Sequence, residues 1–398
     1  MTTLLCVAPY VPWSGIDHAG GSYIYHYLHE FSRLGWEVSL AAPRNADNER
    51  ARDELSLSDP DIAVTLHDVP ARSKLATRLV MLLSGRDGVS PRRWTDAASL
   101  AAVASEADVI DLQWHDIYGY AGWFAEVAPG TPIVALAHDL RSQSVRRNAE
   151  AARGAKRWSL RLALPRVIAR ERKELAHCAR LLAFKASDLD TARKLGVTAP
   201  GVVAPPYVDL VQEDLQPDPT SRTMVFSAAF FRSENSEAAH WFLDEVWPLV
   251  RDAVPDAHVR FAGARPPEDL LARASDDVSF TGYLPSILDG YCDALLAVAP
   301  LLRGAGLKFK VVQSMALGFP TVGTSVAMEG LEDFLPDTSL PSYDDAAGFA
   351  ARVVAILGDP PAALDEAALT GEQVRAQLDF SAAMESLSTE YLEIVDAM

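Results

Sequence analysis

Cysteine is scarce in this sequence. Cys6, Cys178 and Cys292 are the only cysteines among 398 residues, and each stands beside apolar neighbours. Three scattered cysteines provide neither a disulfide framework nor a metal-binding cluster. We therefore expect buried, reduced thiols, a cytoplasmic location and no bound metal ion.

Long hydrophobic runs are absent as well. No stretch approaches the roughly 20 apolar residues that a membrane-spanning helix needs. The first residues, Met1 to Val7, contain a short apolar run and no basic residue, which predicts a first β-strand rather than a signal peptide. With 49% hydrophobic residues and no low-complexity tract, the chain is expected to form two globular domains of roughly 200 residues each.

Positive charge is scarce in the second half of the chain. From residue 211 onward, 11 Lys and Arg stand against 30 Asp and Glu, whereas the first 210 residues carry 25 against 24. Residues 141–173, here named the basic segment, depart from this acidic balance with 11 cations and two glutamates. Aliphatic side chains and Trp158 interleave these cations, and Pro165 predicts an interruption or kink in any helix there.

Two interpretations of the basic segment are open. One is a solvated helix face. The other is a contact surface for an anionic acceptor or for acidic lipid headgroups, because cations interleaved with apolar side chains are typical of interfacial helices. The second interpretation would make the protein peripheral at the inner membrane face. Nucleic acid is disfavoured as a partner because the second half of the chain is acidic.

Apolar strands alternate with helical patterns along the chain. This order predicts an α/β fold class with two Rossmann-like domains, each with a parallel sheet covered on both faces. The predicted parts are a first domain over residues 1–210, a polar linker over 211–222, a second domain over 223–380, and a helix over 381–398 packing back toward the first domain. Since open α/β sheets bind ligands beyond the carboxyl ends of their strands, two facing domains predict a substrate in the cleft between them.

A glycine-rich stretch between Pro300 and Pro320 carries the most specific signal. It follows the apolar run Ala294 to Ala299, and it places Gly304 and Gly306 just before a helical pattern. Glycines at the start of a helix let backbone N–H groups approach an anion closely. The stretch lacks the third glycine of a dinucleotide fingerprint and the Gly-Lys-Ser/Thr of a P-loop. With Arg303, Lys308 and Lys310 beside the glycines, the expected ligand is a phosphate or diphosphate.

Short motifs in both halves together resemble a known family. In the first half they are Pro9-Tyr-Val-Pro with Gly20-Gly21, Gly35-Trp-Glu-Val-Ser-Leu, and His138-Asp139. In the second half they are Asn235 with Trp241-Phe-Leu-Asp-Glu-Val-Trp-Pro248, Phe261-Ala-Gly263, Phe280-Thr-Gly282-Tyr283, the Pro300 to Lys310 loop, Met315-Ala-Leu-Gly318-Phe-Pro320, and Glu329-Gly330-Leu331. In this order they resemble a two-domain GT-B glycosyltransferase, and the second domain resembles family 4 of the retaining glycosyltransferases.

The resemblance implies a hexosyltransferase-type activity in glycan or glycoconjugate biosynthesis. A nucleotide-diphosphate sugar would serve as donor, held mainly by the second domain, and no further cofactor or metal would be needed. Preorganised cations and helix N-terminal amides would stabilise the negative charge that develops on the leaving diphosphate. The candidate donor-binding residues are Arg232, Gly282, Tyr283, Gly304, Gly306, Lys308, Lys310 and Gln313, of which Lys308, together with Arg303, is also a catalytic candidate.

The first domain would hold the acceptor, whose identity the sequence does not define. His138 matches the family's histidine that contacts the donor sugar, and it is the third catalytic candidate; a histidine capping a strand end is the plainer interpretation. Gly20, Gly21 and His18 are predicted in a first loop that meets the diphosphate or the acceptor, or that forms a simple turn. Trp114 would stack on a sugar or pack the domain edge. We interpret Asp139 as a helix N-cap in preference to a catalytic base.

The sequence departs from the family at two glutamate positions. Many family 4 members carry two glutamates around the phosphate loop, and alignment on Gly306 places Ala305 and Gln313 at those positions. Gln313 can still accept a hydrogen bond from a donor ribose, whereas Ala305 has no functional equivalent. Three hypotheses follow: an active transferase, a catalytically silent sugar-nucleotide sensor or partner protein, and a nucleotide-sugar epimerase on the same fold.

Overall fold

The computed structural model describes residues 2–16, 19–70, 79–80, 82–84, 97–208, 210, 215–333, 335 and 340–397. The chain divides into two compact units. The first contains Met1–Pro206 together with Phe380–Met398, and the second contains Tyr207–Asp379. The division thus lies four residues before the end of the predicted first domain, and of the predicted linker, residues 211–214 lie outside the described part.

The first unit is built on a parallel sheet of seven strands in the order β3-β2-β1-β4-β5-β6-β7. Most residues of its central strands are buried, as expected for a parallel sheet with helices on both faces. The strands are β1 Thr3–Val7, β2 Glu37–Pro43, β3 Ala63–His67, β4 Val109–Gln113, β5 Ile133–Ala137, β6 Arg180–Ala183 and β7 Gly201–Val203.

Nine helices whose two ends both lie among the described residues belong to this unit. They are α1 Ala19–Arg33, α2 Ala46–Ser58, α3 Ala97–Glu106, α4 His115–Tyr118, α5 Ala121–Val127, α6 Arg141–Ala151, α7 Gly154–Leu175, α8 Ala186–Lys194 and, at the end of the chain, α16 Phe380–Asp396. Helix α16 packs against α1, where Tyr391 contacts Phe31 at a ring-centroid distance of 5.2 Å. Trp36 Nε1 donates a 2.8 Å hydrogen bond to Ser388 Oγ. The last helix is therefore part of the first unit's core.

The second unit is built on a parallel sheet of five strands in the order β10-β9-β8-β11-β12. The strands are β8 Thr223–Ser227, β9 His258–Ala262, β10 Val278–Gly282, β11 Leu296–Ala299 and β12 Thr321–Gly323. The helices are α9 Ser233–Trp241, α10 Trp247–Ala253, α11 Glu268–Leu271, α12 Phe309–Ala316, α13 Ser325–Met328, α14 Ala346–Gly358 and α15 Pro360–Arg375. Because β8 and β11 are neighbours, the loops after their carboxyl ends are neighbours too.

The predicted fold class, two α/β domains with parallel sheets, is confirmed. The edge strand β3 had no strand prediction because Ala63–His67 lacks a continuous apolar run. A π-helical turn, Phe242–Val246, separates α9 from α10. Pro248 lies in the first turn of α10, and it lacks the N–H that would bond the carbonyl four residues earlier.

Of the two outcomes predicted at Pro165, an interruption or a kink, the interruption is wrong. Helix α7 continues through Pro165, and the segment breaks instead between Ala151 and Gly154, which has a φ of 58°. Pro165 lies on the exposed side of the helix, where water can bond the carbonyl that lacks its usual N–H partner. The basic segment therefore forms two helices, and the longer one is continuous.

A search of the described residues for membrane-spanning helices gives one result. No single helix in that part of the chain is long and apolar enough to cross a bilayer, and one bent pair, Ala346–Gly358 with Pro360–Asp396, meets the length and composition criteria only jointly.

Candidate functional site

The glycine-rich loop over residues 300–308, which is predicted to bind a phosphate and is called the phosphate loop below, connects β11 to α12. Gly304 has a φ of 149° and Gly306 a φ of 74°, in the region that favours glycine. A Cβ atom on Gly304 would also lie 3.3 Å from Lys308 Cε. Lys308 crosses the loop, is 9% exposed, and donates a 2.6 Å hydrogen bond from Nζ to the Gly306 carbonyl. The glycines thus allow the loop to fold around a lysine that sits just before the helix.

Lys310 lies two residues further along, in the first turn of α12. Its Nζ donates a 3.0 Å hydrogen bond to Asn235 Oδ1 on α9, and it lies 4.9 Å above the centre of the Phe226 ring. Burial, followed by the positive charges of Arg232 and Lys308, lowers the pKa of Lys310 to about 7. The negative charge of an anion bound here would raise the pKa of Lys310 and favour the charged lysine.

Two arginines complete the cationic set, and α9 holds both. Arg303 donates to Glu237, and its Nη2 donates a 3.0 Å hydrogen bond to Ser233 Oγ. Arg232 donates a 2.8 Å hydrogen bond from Nε to Glu234 Oε1. Glu234, in the first turn of α9, and Glu237, three residues further along, are residues that the sequence reasoning missed. Acidic residues are common at helix N-termini for dipole reasons alone, so their spacing gave no specific signal.

The other predicted donor residues lie around the same sheet. Gly282 ends β10 with a φ of 70°, and Tyr283 follows it with 49% of its surface exposed. Gln313 lies in α12 and is 8% exposed. Arg265, another residue that sequence reasoning missed, has a φ of 52° after β9 and places its guanidinium carbon 3.8 Å from the centre of the Phe231 ring. Polar and cationic side chains thus follow four strands at the carboxyl edge.

In the first unit, Trp114 and His138 form a stack at the carboxyl ends of β4 and β5. Their ring centres are 3.7 Å apart and their planes differ by 10°. Trp114 has a φ of 67°, a strained conformation for a bulky residue, and such strain is found most often at functional sites. Tyr10, which the sequence reasoning did not single out, packs its ring edge against Trp114. The histidine therefore has a fixed ring plane beside an aromatic platform.

The first turn of α1 approaches this stack closely. A Cβ atom on Gly20 would lie 2.3 Å from Trp114 Cζ2 and 3.5 Å from His138 Nδ1. The prediction that Gly20 and Gly21 belong to a loop is wrong, since both lie in the first turn of the helix Ala19–Arg33. Glycine is needed at position 20 for the approach of the helix, rather than for a turn. His18, predicted beside these glycines, lies outside the described residues.

The interpretation of Asp139 as a helix N-cap is wrong. Helix α6 begins at Arg141, and Glu171 of α7 accepts its first N–H groups, at 2.7 Å from Arg141 N and 3.1 Å from Ser142 N. Because Glu171 already takes these donors, Asp139 is available to pair with His115, whose Nδ1 is 3.0 Å from Asp139 Oδ1.

The His115–Asp139 pair is charged at neutral pH. Burial opposes the charge on each partner, but Asp139 and then Asp116 raise the pKa of His115 to about 9. Against the effect of its own burial, Asp139 has its pKa lowered to about 2 by His115, Arg141 and His138. A carboxylate with so low a pKa is a weak proton acceptor, which argues against Asp139 as a general base.

Among the described residues, no group of three or more His, Cys, Asp and Glu side chains is placed to hold a metal ion.

The sequence was also compared with those of known proteins. Residues 221–359 match the sequence model of the family described as glycosyl transferases group 1. No curated protein matches the chain in sequence.

Solved structures match the fold over the whole chain. Sucrose-phosphate synthase from Thermosynechococcus elongatus has a TM-score of 0.73 at 14% identity, with all of both chains covered. HepE of Anabaena in complex with UDP-glucose has a TM-score of 0.67 at 11% identity, again with all of both chains covered. TarM of S. aureus, in a complex that includes UDP, has a TM-score of 0.69 at 8% identity, with 99% of this chain and 100% of that chain covered.

Residues 221–359 are similar to the group 1 glycosyl transferases, and the chain as a whole has the two-domain GT-B fold of the solved structures. The resemblance inferred from the sequence motifs is thereby confirmed.

Proposed function

We propose that this protein is a retaining glycosyltransferase that moves a hexose from a nucleotide-diphosphate sugar to an acceptor hydroxyl. One observation carries the proposal. Four cations, Arg232, Arg303, Lys308 and Lys310, surround two adjacent helix N-termini in the second unit, where they are linked by hydrogen bonds to α9 or to the phosphate loop. Helix N-termini and cations together favour a diphosphate.

The cationic set fits the chemistry of the leaving group. Cleavage of the bond between the sugar and the diphosphate leaves negative charge on the phosphate oxygens, and fixed cations stabilise that charge as it develops. Lys308 and Arg303 are proposed to act in this way, while Lys310 gains its full charge as the anion binds. We propose that these side chains make a metal ion unnecessary. The UDP-glucose complex of HepE and the UDP in the TarM complex support a nucleotide sugar as donor.

His138 is the proposed catalytic residue of the first unit. Its ring is fixed by the Trp114 stack and by edge contacts with Tyr23 and Phe184, at centroid distances of 5.7 Å and 5.1 Å. A histidine with so little rotational freedom can orient one hydroxyl of the transferred sugar without losing further entropy. The retaining outcome of the reaction rests on the resemblance to family 4.

Titration calorimetry tests the donor site directly. The protein is titrated with UDP, GDP, dTDP and ADP in the presence of EDTA, and we expect one of the four to bind in the micromolar range. The sugar nucleotides of that base are then incubated with the protein, since transferases hydrolyse some donor when the acceptor is absent. Binding without hydrolysis would favour the silent partner protein, for which Ala305 is the supporting observation. A converted sugar nucleotide would favour the epimerase, and no binding of any diphosphate would refute the donor site.

We also propose that helix α7 contacts an anionic membrane surface and thereby brings the protein to a membrane-associated acceptor. Trp158 and Leu162 are 65% and 60% exposed, and they lie four residues apart on one helix face. Exposed cations flank this stripe, namely Arg161, Arg166, Arg172 and Lys173. The protein as a whole carries a net charge of −18, so these cations are a local exception that matches acidic headgroups.

A neighbouring helical segment extends the apolar part of this surface. Leu82 packs against the cluster that contains Ala163 and Val167 of α7. Leu79 and Leu83, on the same segment, are 54% and 66% exposed. Apolar side chains beside cations are the combination that inserts into the headgroup region of a bilayer.

Replacing Trp158, Leu162, Arg161 and Arg166 by serine is expected to weaken binding to phosphatidylglycerol vesicles at least about 10-fold, since each basic residue near an anionic surface contributes about 1 kcal/mol. Vesicle flotation or sedimentation measures the effect, and vesicles of phosphatidylcholine alone show the part due to charge. The control variant replaces Leu57, Arg50 and Arg52 on α2, where Leu57 is 83% exposed. Equal binding by both variants would contradict the assignment of the surface to α7.

A further inference from the structure

A buried hydrogen-bond network connects His138 to the interior of the first unit. Asp111 in β4 is fully buried, and its Oδ1 accepts a 3.0 Å hydrogen bond from Gln113 Nε2. The amide oxygen of Gln113 lies 3.2 Å from His138 Nε2. Asp111 and Gln113 are two residues apart on one strand, so both side chains project to the same face of the sheet.

Two tyrosines hold the other oxygen of Asp111. The hydroxyls of Tyr27 and Tyr391 both donate to Asp111 Oδ2, the second at 2.9 Å, and the two hydroxyl oxygens are 2.7 Å apart. Tyr27 belongs to α1 and Tyr391 to α16. The network is therefore closed only when the last helix of the chain is packed in place.

The donor and acceptor roles along this network follow from chemistry. An ionised carboxylate can only accept hydrogen bonds, so the NH₂ group of Gln113 must face Asp111. The amide oxygen of Gln113 is then turned toward His138 and can only accept. The Nε2 atom of His138 must consequently carry a proton, and in the neutral ring the lone pair is on Nδ1.

We propose that Asp111 is a positioning residue that, through Gln113, fixes His138 in the tautomer protonated on Nε2 and so makes Nδ1 a hydrogen-bond acceptor. Nδ1 lies on the edge of the ring that faces Gly20. A ligand group that meets Nδ1 must therefore be a donor, such as a sugar hydroxyl. The value of this tautomer for transfer rests on the proposed function, but the tautomer itself does not.

The Asp111→Asn variant gives the decisive change. Both tyrosine hydroxyls donate at the Oδ2 position, so the oxygen of the new amide is expected there and its NH₂ group is expected to face Gln113. The Gln113 amide then turns, presents its NH₂ group to His138 Nε2, and forces the proton onto Nδ1. We expect the tautomer to switch from Nε2–H in the wild type to Nδ1–H in the variant.

Nitrogen NMR of histidine-labelled protein measures the tautomer, because protonated and unprotonated ring nitrogens have well-separated shifts. The signal of His138 is identified by its loss in His138→Gln. Asp108→Asn is the control, since Asp108 lies at the amino end of the same strand and accepts a 2.8 Å hydrogen bond from Thr3 N. It should leave the His138 signals unchanged.

Three results would overturn the proposal: Nδ1–H in the wild type, an equal mixture in the wild type, or no switch in a folded Asp111→Asn protein. If that variant does not fold, the wild-type spectrum still shows which tautomer His138 adopts. Gln113→Leu is then the second variant, and we expect it to give a mixture of the two tautomers. Where donor hydrolysis is measurable, Asp111→Asn should lower kcat with little change in donor KM. A wild type without donor hydrolysis would refute the proposed function, but the tautomer of His138 could still be measured by NMR.

Discussion

Replacing Lys308 and Lys310 together by alanine is expected to weaken the binding of a nucleoside diphosphate by about 1,000-fold. Charge-assisted hydrogen bonds contribute about 1.5 to 3 kcal/mol each, so losing two corresponds to a factor between about 10² and 10⁴ in Kd. These are the only two lysines in residues 211–398, and both lie at the amino end of α12. Calorimetry with the diphosphate that binds best to the wild type measures the loss.

The control for the lysine pair must remove the same charge elsewhere. Arg251 and Arg273 pair with Asp277 and Asp244 on the surface of the same unit. Their replacement by alanine lowers the net charge equally, and we expect less than about a threefold change in Kd because distant surface charges are screened by salt. A similar loss in both double variants would show that long-range attraction, and not the phosphate loop, controls binding. Undiminished binding by the lysine variant would place the diphosphate elsewhere.

The backbone course of the phosphate loop could be predicted because local rules determine it. Gly304 and Gly306 mark the positive φ angles, an apolar run marks β11, and a helical pattern marks α12. Each signal lies within a few residues of the next. The partners that hold the cations could not be predicted in the same way, because Asn235 contacts Lys310 across 75 residues of sequence.

The first-unit site shows the opposite case, in which local rules gave wrong answers. Gly20 and Gly21 resemble a turn, yet the need to approach Trp114 places them in a helix. Asp139 resembles an N-cap, yet Glu171, 30 residues beyond Arg141, takes that role. In each case a tertiary contact outweighed a local preference of about 1 kcal/mol.

Polar residues inside the buried strand β4 are a sequence signal of a hydrogen-bond network. A carboxylate within a fully buried strand requires partners, because an unpaired buried charge costs several kcal/mol. Asp111 and the nearby Gln113 therefore indicated a buried hydrogen-bond network. Its members could not be named from the sequence, since Tyr391 lies 280 residues from Asp111.

The ionisation of Asp111 is expected to make the stability of the first unit fall as the pH rises. Burial raises the pKa of Asp111 from 3.8 to about 6, although hydrogen bonds from Tyr27, Tyr391 and Gln113 act in the other direction. A carboxyl whose pKa is raised on folding contributes stability that is fully present below the unfolded pKa and lost as the pH rises through the folded value. The shift corresponds to about 3 kcal/mol in total, of which about half falls between pH 5 and pH 8.

Comparison of wild type with Asp111→Asn isolates this contribution. We expect the wild type to lose about 1.4 kcal/mol more of its unfolding free energy than the variant between about pH 5 and pH 8. His115, whose pKa is about 9, also favours the folded state less as the pH rises above neutrality, but it is present in both proteins and cancels. Tyr23, Tyr27, Tyr391 and Cys6 face Asp111, and their raised pKa values keep them uncharged in this range.

Urea unfolding followed by tryptophan fluorescence, at several pH values, measures the difference between the two proteins. The Asp108→Asn variant is the control, because Asp108 accepts hydrogen bonds from Thr3 at the exposed amino ends of β1 and β4. If the difference between wild type and Asp111→Asn were constant with pH, Asp111 would be ionised throughout or protonated throughout. Constant ionisation would require a cation near Asp111 that stabilises its charge. Constant protonation would remove the reason for Gln113 to point its NH₂ group at Asp111, and the His138 tautomer would lose its determinant.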